Sequence, residues 1–446
     1  MANTAKIGII GAGSAQFSAG IVRDICVNKG IEGSQVCFMD VDAGRLDKIY
    51  ALARKITDEL GVKLEFKKTR NLEEAVTGMD FVLNTAQVGG HAWTEAQREM
   101  GEKHGYYRGT NFASIPQMLF FLEVAKLTES LSPKAWLIQS ANPVFEGCTL
   151  MTRETKANVI GLCHGHYGYH DIAKVLGLPL EEVSANMIGF NHWIWMTEFR
   201  YRGKDAYPLI DEWIKTKAEK YWKTRKPAFG DNQMSRAAVQ QYQIYGLFPI
   251  GDTPRFGAWW QNNSFKSKGK YFGTPLGGFD SEIGWKQYLD AMAAAVVKIE
   301  KAVDDPAIKA TDIFEPVQSG EQIVPIINSM LNDKPAVYQV NIPNRGGIIH
   351  GFPEDLVIEC RGLVSGGGIS GLMENPLPAS IISGVMIPRR AEAESIIYAA
   401  KECSYNAFLA LILQDRRTRE FEQAEAFLNE WLNDSRNIYV KKHLKK

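Results

Sequence analysis

Within Gly161-Leu-Cys-His-Gly-His-Tyr-Gly168, a cysteine and two histidines fall in four positions, in a chain with six Cys and eight His among 446 residues. A second polar knot, Gly189-Phe-Asn-His-Trp193, follows soon after. Thiolate and imidazole are soft or borderline ligands. Cys163, His164 and His192 therefore suit a divalent transition ion that keeps open positions for a substrate. The spacing matches no structural zinc pattern such as C-x2-C. A buried thiol and hydrogen-bonded core histidines are the structural alternative, and these residues alone leave both readings open.

Such groups need elements that present them together. Asn158–Leu162 and Asn186–Phe190 are apolar runs that predict strands, with Cys163-His164 at the end of one and Asn191-His192 at the end of the other. Upstream, Lys6–Ile10 reads as a buried parallel strand, Gly11-Ala-Gly13-Ser14 as a tight turn, and Ile21, Val22, Ile25 and Cys26 as the apolar stripe of a helix. Strand, glycine turn and helix in that order bring backbone N–H groups and a helix N-terminus to a pyrophosphate. The third glycine of that fingerprint would stand at position 16, which is Gln.

Gln35–Asp40 predicts a second strand ending in an acid. An acid there bonds a ribose 2′-OH and repels a 2′-phosphate, so Asp40 favours NAD over NADP. A helix cap or turn is its structural alternative, with Asp42 nearby. Further strands end at Asn84-Thr85 and at Ser140-Ala-Asn142-Pro143. Polar residues at such ends face the ligand crevice of a doubly wound sheet. Asn142 is thus a candidate contact to substrate or nicotinamide, or simply an Asn-Pro turn. Gly101–Gly109, rich in glycine and aromatics, lines a site or packs, and Gln117–Leu131 reads as an amphipathic helix.

The length predicts two domains, taken as residues 1–190, binding the dinucleotide, and 191–446, completing the substrate and metal site and the oligomer interface. Hydrophobic residues are 45% and charged residues 23%, with zero net charge, so nothing points to nucleic acid or a membrane surface. No run approaches the ~18 apolar residues of a transmembrane helix, and no signal peptide is read. The six cysteines are scattered, which suits reduced thiols and a cytoplasmic location. In the C-terminal half, Asp211–Trp222, Ile283–Val303 and the tail from Arg389 predict helices. Ala336–Ile342 and Leu356–Cys360 predict strands joined by a turn. Ser365–Gly371 predicts a loop, and Trp259-Trp260 a sugar platform or core.

Taken together, the motifs resemble glycoside hydrolase family 4, the NAD- and Mn-dependent glycosidases. The resembling stretches are Lys6–Ser14, Asn84-Thr-Ala, Gly101–Gly109, Ser140–Pro143, Gly161–His166, Gly189–His192, Pro249–Thr253 and Asn341–Asn344, spread over about three quarters of the chain. The pair Cys163-His164 is similar to the branch acting on unphosphorylated α-glycosides, whereas the 6-phospho branch tends to carry Asp or Asn after the cysteine. One departure stands out: only Thr110–Pro116 follows the Tyr-Tyr-Arg-Gly element, where the family usually has a longer segment.

The resemblance implies an α/β fold with an N-terminal Rossmann-type doubly wound sheet, an α+β C-terminal domain and a lactate/malate-dehydrogenase-like architecture, assembled as a homodimer or homotetramer. It implies that Cys163 and His192 ligate Mn2+ or another divalent transition ion. Gly11, Gly13, Ser14, Asp40 and Asn84 would bind NAD, and Asn142, Asn191 and Arg255 would contact a small-molecule α-glycoside. It also implies a route of C3 oxidation by NAD, metal-assisted C2 deprotonation, elimination, water addition and re-reduction, an exception to the usual two-carboxylate glycosidase. Asp252 resembles the C2 base, with an Asx turn before Pro254 as its structural alternative, and His164 or a water it holds is the leaving-group acid. Substrates are α-glucuronides or α-glucosides. His164, His166, Arg255 and Arg345 tilt the choice toward glucuronides. A true 2-hydroxyacid dehydrogenase is the second reading of the same motifs, and a redox sensor the third.

Overall fold

The computed structural model describes residues 3–14, 17–225, 230, 233–275 and 277–445. Six strands form its N-terminal half: β1 (Lys6–Ile10), β2 (Gln35–Met39), β3 (Glu65–Thr69), β4 (Phe81–Asn84), β5 (Trp136–Gln139) and β6 (Asn158–Gly161). All pair in parallel, in the order β3-β2-β1-β4-β5-β6. This is the strand order of a dinucleotide-binding doubly wound sheet. The central strands are apolar throughout because both faces are covered by helices such as Ser18–Val27 and Ser114–Leu131. Strand β3, Glu-Phe-Lys-Lys-Thr, escapes a sequence reading because it is the mostly exposed edge and lacks an apolar run.

The second half adds β7 (Val183–Phe190), β8 (Trp193–Tyr201), β9 (Lys204–Asp205), β10 (Phe248–Ile250), β11 (Ala336–Pro343), β12 (Val357–Ser365) and β13 (Gly368–Gly371). They pair antiparallel, and β11 joins β6, so one sheet runs through both halves. At the seam, Asn341 on β11 pairs with Gly161 on β6, and Glu359 on β12 pairs with Gly189 on β7. One hydrophobic core crosses this seam, joining Ile7, Ile9 and Ile160 to Phe190, Trp195, Val340 and Ile358. The point 190/191 lies in the turn between the paired strands β7 and β8.

Two local expectations are corrected. Asp211–Trp222 is two helices, Tyr207–Thr216 and Ala218–Thr224, broken at Lys217. Ser365–Gly371 is no free loop, since β13 folds back onto β12 as a hairpin. The long helix expected at 283–303 is present as Glu282–Asp304. Among the described residues, no helix is long and apolar enough to cross a membrane.

Candidate active site

The parallel register pairs Gln139 with Gly161. Asn142 and Cys163 therefore leave neighbouring strands at the same carboxyl edge, where a doubly wound sheet binds its ligands. His192 sits in the tight turn between β7 and β8 with φ of 64°, an uncommon conformation for a residue other than glycine. The two seam pairings bring that turn against the end of β6. As a result, Cys163 Sγ lies 3.7 Å from His192 Nε2.

A third segment closes on this pair. Gly251 has φ of 63°, and a Cβ there would come within 2.7 Å of the Gly165 carbonyl oxygen, so the two loops touch backbone to backbone. Gln233 Nε2 donates to Gly251 O at 2.7 Å. Thr253 Oγ1 accepts from Ile194 N at 2.8 Å and donates to Ile194 O at 3.0 Å, fastening the segment to β8. Asp252 is thereby set with Oδ2 3.5 Å from His192 Nε2 and Oδ1 3.8 Å from Arg255 Nη1. Phe256 stacks on the His192 ring at 5.3 Å and 7°.

The electrostatics favour a cation at Cys163 and His192. Burial, aided by the negative Glu359, pushes the Cys163 thiol up to about 12. Burial also lowers the His192 pKa and keeps its imidazole neutral, the form that ligates a metal. Glu359, buried and accepting from Asn191 Nδ2 at 2.9 Å, has its carboxyl pushed up to about 7 by desolvation. A positive ion would relieve each of these costs. At the bond lengths of a zinc site, about 2.3 Å to sulfur and 2.1 Å to nitrogen, a tetrahedral angle places the two atoms about 3.6 Å apart and a right angle about 3.1 Å, so the pair is within reach of one divalent ion. No group of three or more His, Cys, Asp and Glu converges on a metal position among the described residues, so a two-residue site leaves coordination open to other ligands.

At the nucleotide end, the Gly11 and Ala12 N–H groups bond Met39 O at 2.9 Å, and Gly11 has φ of 81° with no room for a Cβ against Ala86. Asp40 holds the turn, accepting from Gly13 N at 2.8 Å and Asp42 N at 2.9 Å. Ser14 N donates to Gly11 O and the residue is half-buried at the turn's end. These residues form a glycine cradle beside an acid, which fits a dinucleotide. Gln16 lies outside the described residues.

Three expected contacts are corrected. Asn84 is fully buried, with Nδ2 on Gln139 Oε1 and Oδ1 on Ala86 N, so it shapes the backbone instead of facing a cofactor. Asn191 is buried against Glu359 and the Cys163 thiol, behind the site. Arg255 is committed bidentately to Asp280, at 2.6 and 2.7 Å. Arg345 is exposed. His166 is buried, its Nδ1 3.1 Å from Cys163 O, and serves structure. His164 is 57% exposed and lies 3.5 Å from Glu321, whose carboxylate raises its pKa. Asn142 is exposed at the strand end. Glu359 and Glu321 went unnoticed in the sequence. The signal for Glu359 was a single acid within the apolar strand Val357-Ile358-Glu359-Cys360, whereas Glu321 carries no signal of its own.

The chain matches the model of family 4 glycosyl hydrolases over residues 6–178 and that of the family's C-terminal domain over residues 187–418. It belongs to family 4 of the glycosyl hydrolases. An α-galacturonidase of Thermoanaerobacter italicus is 24% identical, covering 98% of this chain and 97% of the relative. An α-glucosidase of Erwinia rhapontici is 23% identical, covering 91% and 93%. A 6-phospho-α-glucosidase from gut microorganisms, solved with NAD and Mn2+, superposes with a TM-score of 0.77 at 17% identity over 97% of this chain and 99% of that one. Membership makes this family 4 chain a glycosidase of carbohydrate metabolism and sets aside the dehydrogenase and sensor readings.

Proposed function

We propose that this family 4 chain hydrolyses unphosphorylated α-glycosides, with NAD at the Gly11–Asp40 cradle and Mn2+ at Cys163 and His192, as a cytoplasmic homodimer or homotetramer. The substrates are α-glucuronides, α-glucosides or, from the name of the Thermoanaerobacter relative, α-galacturonides. The 3.7 Å approach of Cys163 to His192 at the nucleotide-binding edge of the sheet supports the reading most directly. When bound, NAD supplies a reversible hydride acceptor and Mn2+ a Lewis acid.

The chain's own residues do the rest. Asp252 lies beside the His192 imidazole and is partly exposed, placed to take the proton from C2. His164, whose pKa Glu321 raises and whose ring is exposed, gives its proton to the departing oxygen. Asn142 hydrogen-bonds sugar hydroxyls next to Cys163.

The test is substrate profiling with Mn2+, NAD and reductant: 4-nitrophenyl α-glucoside, an α-galacturonide and an aldobiouronic acid. Turnover that stops with chelator or in Cys163→Ser is expected. Stoichiometric NADH release during turnover, or full activity of Cys163→Ser in chelator, would overturn the reading.

A further inference from the structure

Arg108 shares an aromatic platform with the metal-site histidine. Its guanidinium carbon lies 4.4 Å from the centre of the Phe256 ring, on which His192 stacks at 5.3 Å. Guanidinium and imidazole are therefore no more than about 10 Å apart, and the Arg255 guanidinium lies over the same ring at 4.6 Å. The backbone around Arg108 is pinned on both sides. Lys268 Nζ donates to Tyr107 O at 2.7 Å, and Arg417 Nη2 donates to Gly109 O at 2.9 Å.

The guanidinium itself has no hydrogen bond and no ion pair among the described residues. The acids that act on it, Asp280, Glu392 and Asp415, are already taken. Asp280 is bound by Arg255, Asp415 by Arg417, and Glu392 by Arg389 and Asn111. Burial and the like charge of Arg417 push its pKa down to about 10, so the site carries a positive charge with no match. Five N–H donors in a planar fork, half-buried and without a protein acceptor among the described residues, are available to a ligand. The fork matches a carboxylate bidentately. Asp280 and Glu392 stand close by, which disfavours a dianionic phosphate more than a monoanionic carboxylate.

We propose that Arg108 binds the C6 carboxylate of the substrate, which makes this site one for α-uronides over neutral α-hexosides. The assignment rests on the glycosidase reading above. Wild type, Arg108→Lys and Arg108→Gln, matched for melting temperature and NAD binding, are assayed on 4-nitrophenyl α-galacturonide and α-glucuronide, on the matching neutral hexosides and on a 6-phospho-α-glucoside. A charged hydrogen bond lost from the complex corresponds to about 10- to 150-fold in kcat/KM. Arg108→Gln is expected to lose that much more on a uronide than on its hexoside, with Arg108→Lys between. Equal losses on both, or a wild type that prefers the hexoside or the phosphosugar, would overturn it.

Calorimetry with free galacturonate and glucuronate against galactose and glucose separates this proposal from its premise. Uronate binding that vanishes in Arg108→Gln, without turnover of any glycoside, upholds Arg108 and removes the glycosidase reading. Metal- and NAD-dependent turnover without preference for uronides does the reverse.

Discussion

Cys163 Sγ and His192 Nε2 lie 3.7 Å apart although 29 residues separate them in sequence, and burial sets the protonation state of each. The thiol, pushed up to about 12, is protonated at neutral pH, and the imidazole, lowered by burial, is already neutral. Above about pH 8, where Glu359 is also ionised, metal binding must therefore expel one proton, from sulfur. Raising pH removes the competing proton, so Mn2+ affinity should rise about tenfold per pH unit between pH 8 and 9. Calorimetry in buffers of different ionisation enthalpy should show close to one proton released. No release would mean that Cys163 is not a ligand.

Gly251 is the hinge of the third segment. Alanine there meets both the positive φ and the Gly165 carbonyl at 2.7 Å. Gly251→Ala should destabilise by at least about 1 kcal/mol. It should also weaken Mn2+-dependent activity more than it weakens NAD binding, because it separates Asp252 from His192. Equal losses in metal response and nucleotide affinity would place the defect in the whole fold instead.

The strands at β1, β2, β4, β5 and β6 were legible because a buried parallel sheet writes itself as continuous apolar runs. The meeting of Cys163 and His192 at one edge was legible because each ends such a run. Asn84 and Asn191 were misread for a related reason: a polar residue at a strand end faces either the crevice or its neighbouring strand, and only the pairing decides. Asn84 turns to Gln139 and Asn191 to Glu359. The commitment of Arg255 to Asp280 and the isolation of Arg108 depend on which acids the fold brings to each cation, and linear spacing does not contain that.

Asp40 uses both carboxylate oxygens, one on Gly13 N–H and one on Asp42 N–H. In Asp40→Asn one oxygen becomes an NH2 facing a donor. Losing a hydrogen bond to a charged acceptor costs about 1.5–3 kcal/mol. NAD affinity should fall roughly tenfold or more, and the preference over NADP should narrow as the negative charge goes. Fluorescence titration of both nucleotides checks this, and an unchanged NAD affinity would assign Asp40 to the loop alone.

His166 is 6% exposed, and burial pushes its pKa down from 6.5 to about 4. Its neutral form belongs to the folded state, while the unfolded chain takes up a proton near pH 6.5. The stability it contributes is thus fully present above pH 6.5 and lost as pH falls toward 4, amounting to at most about 3 kcal/mol. Glu359 works the other way: its carboxyl, raised from 4.5 to about 7, costs stability as pH rises across that interval. The slope of the wild type alone therefore mixes these two with other buried groups such as His192. The difference between wild type and His166→Gln isolates the histidine, since both chains keep Glu359. In chelator, the melting temperature of the wild type should drop more steeply than that of His166→Gln between pH 6.5 and 4. Parallel profiles would show that the ring is solvated in the folded state and that the Gly161–Gly168 loop is looser than its contacts indicate.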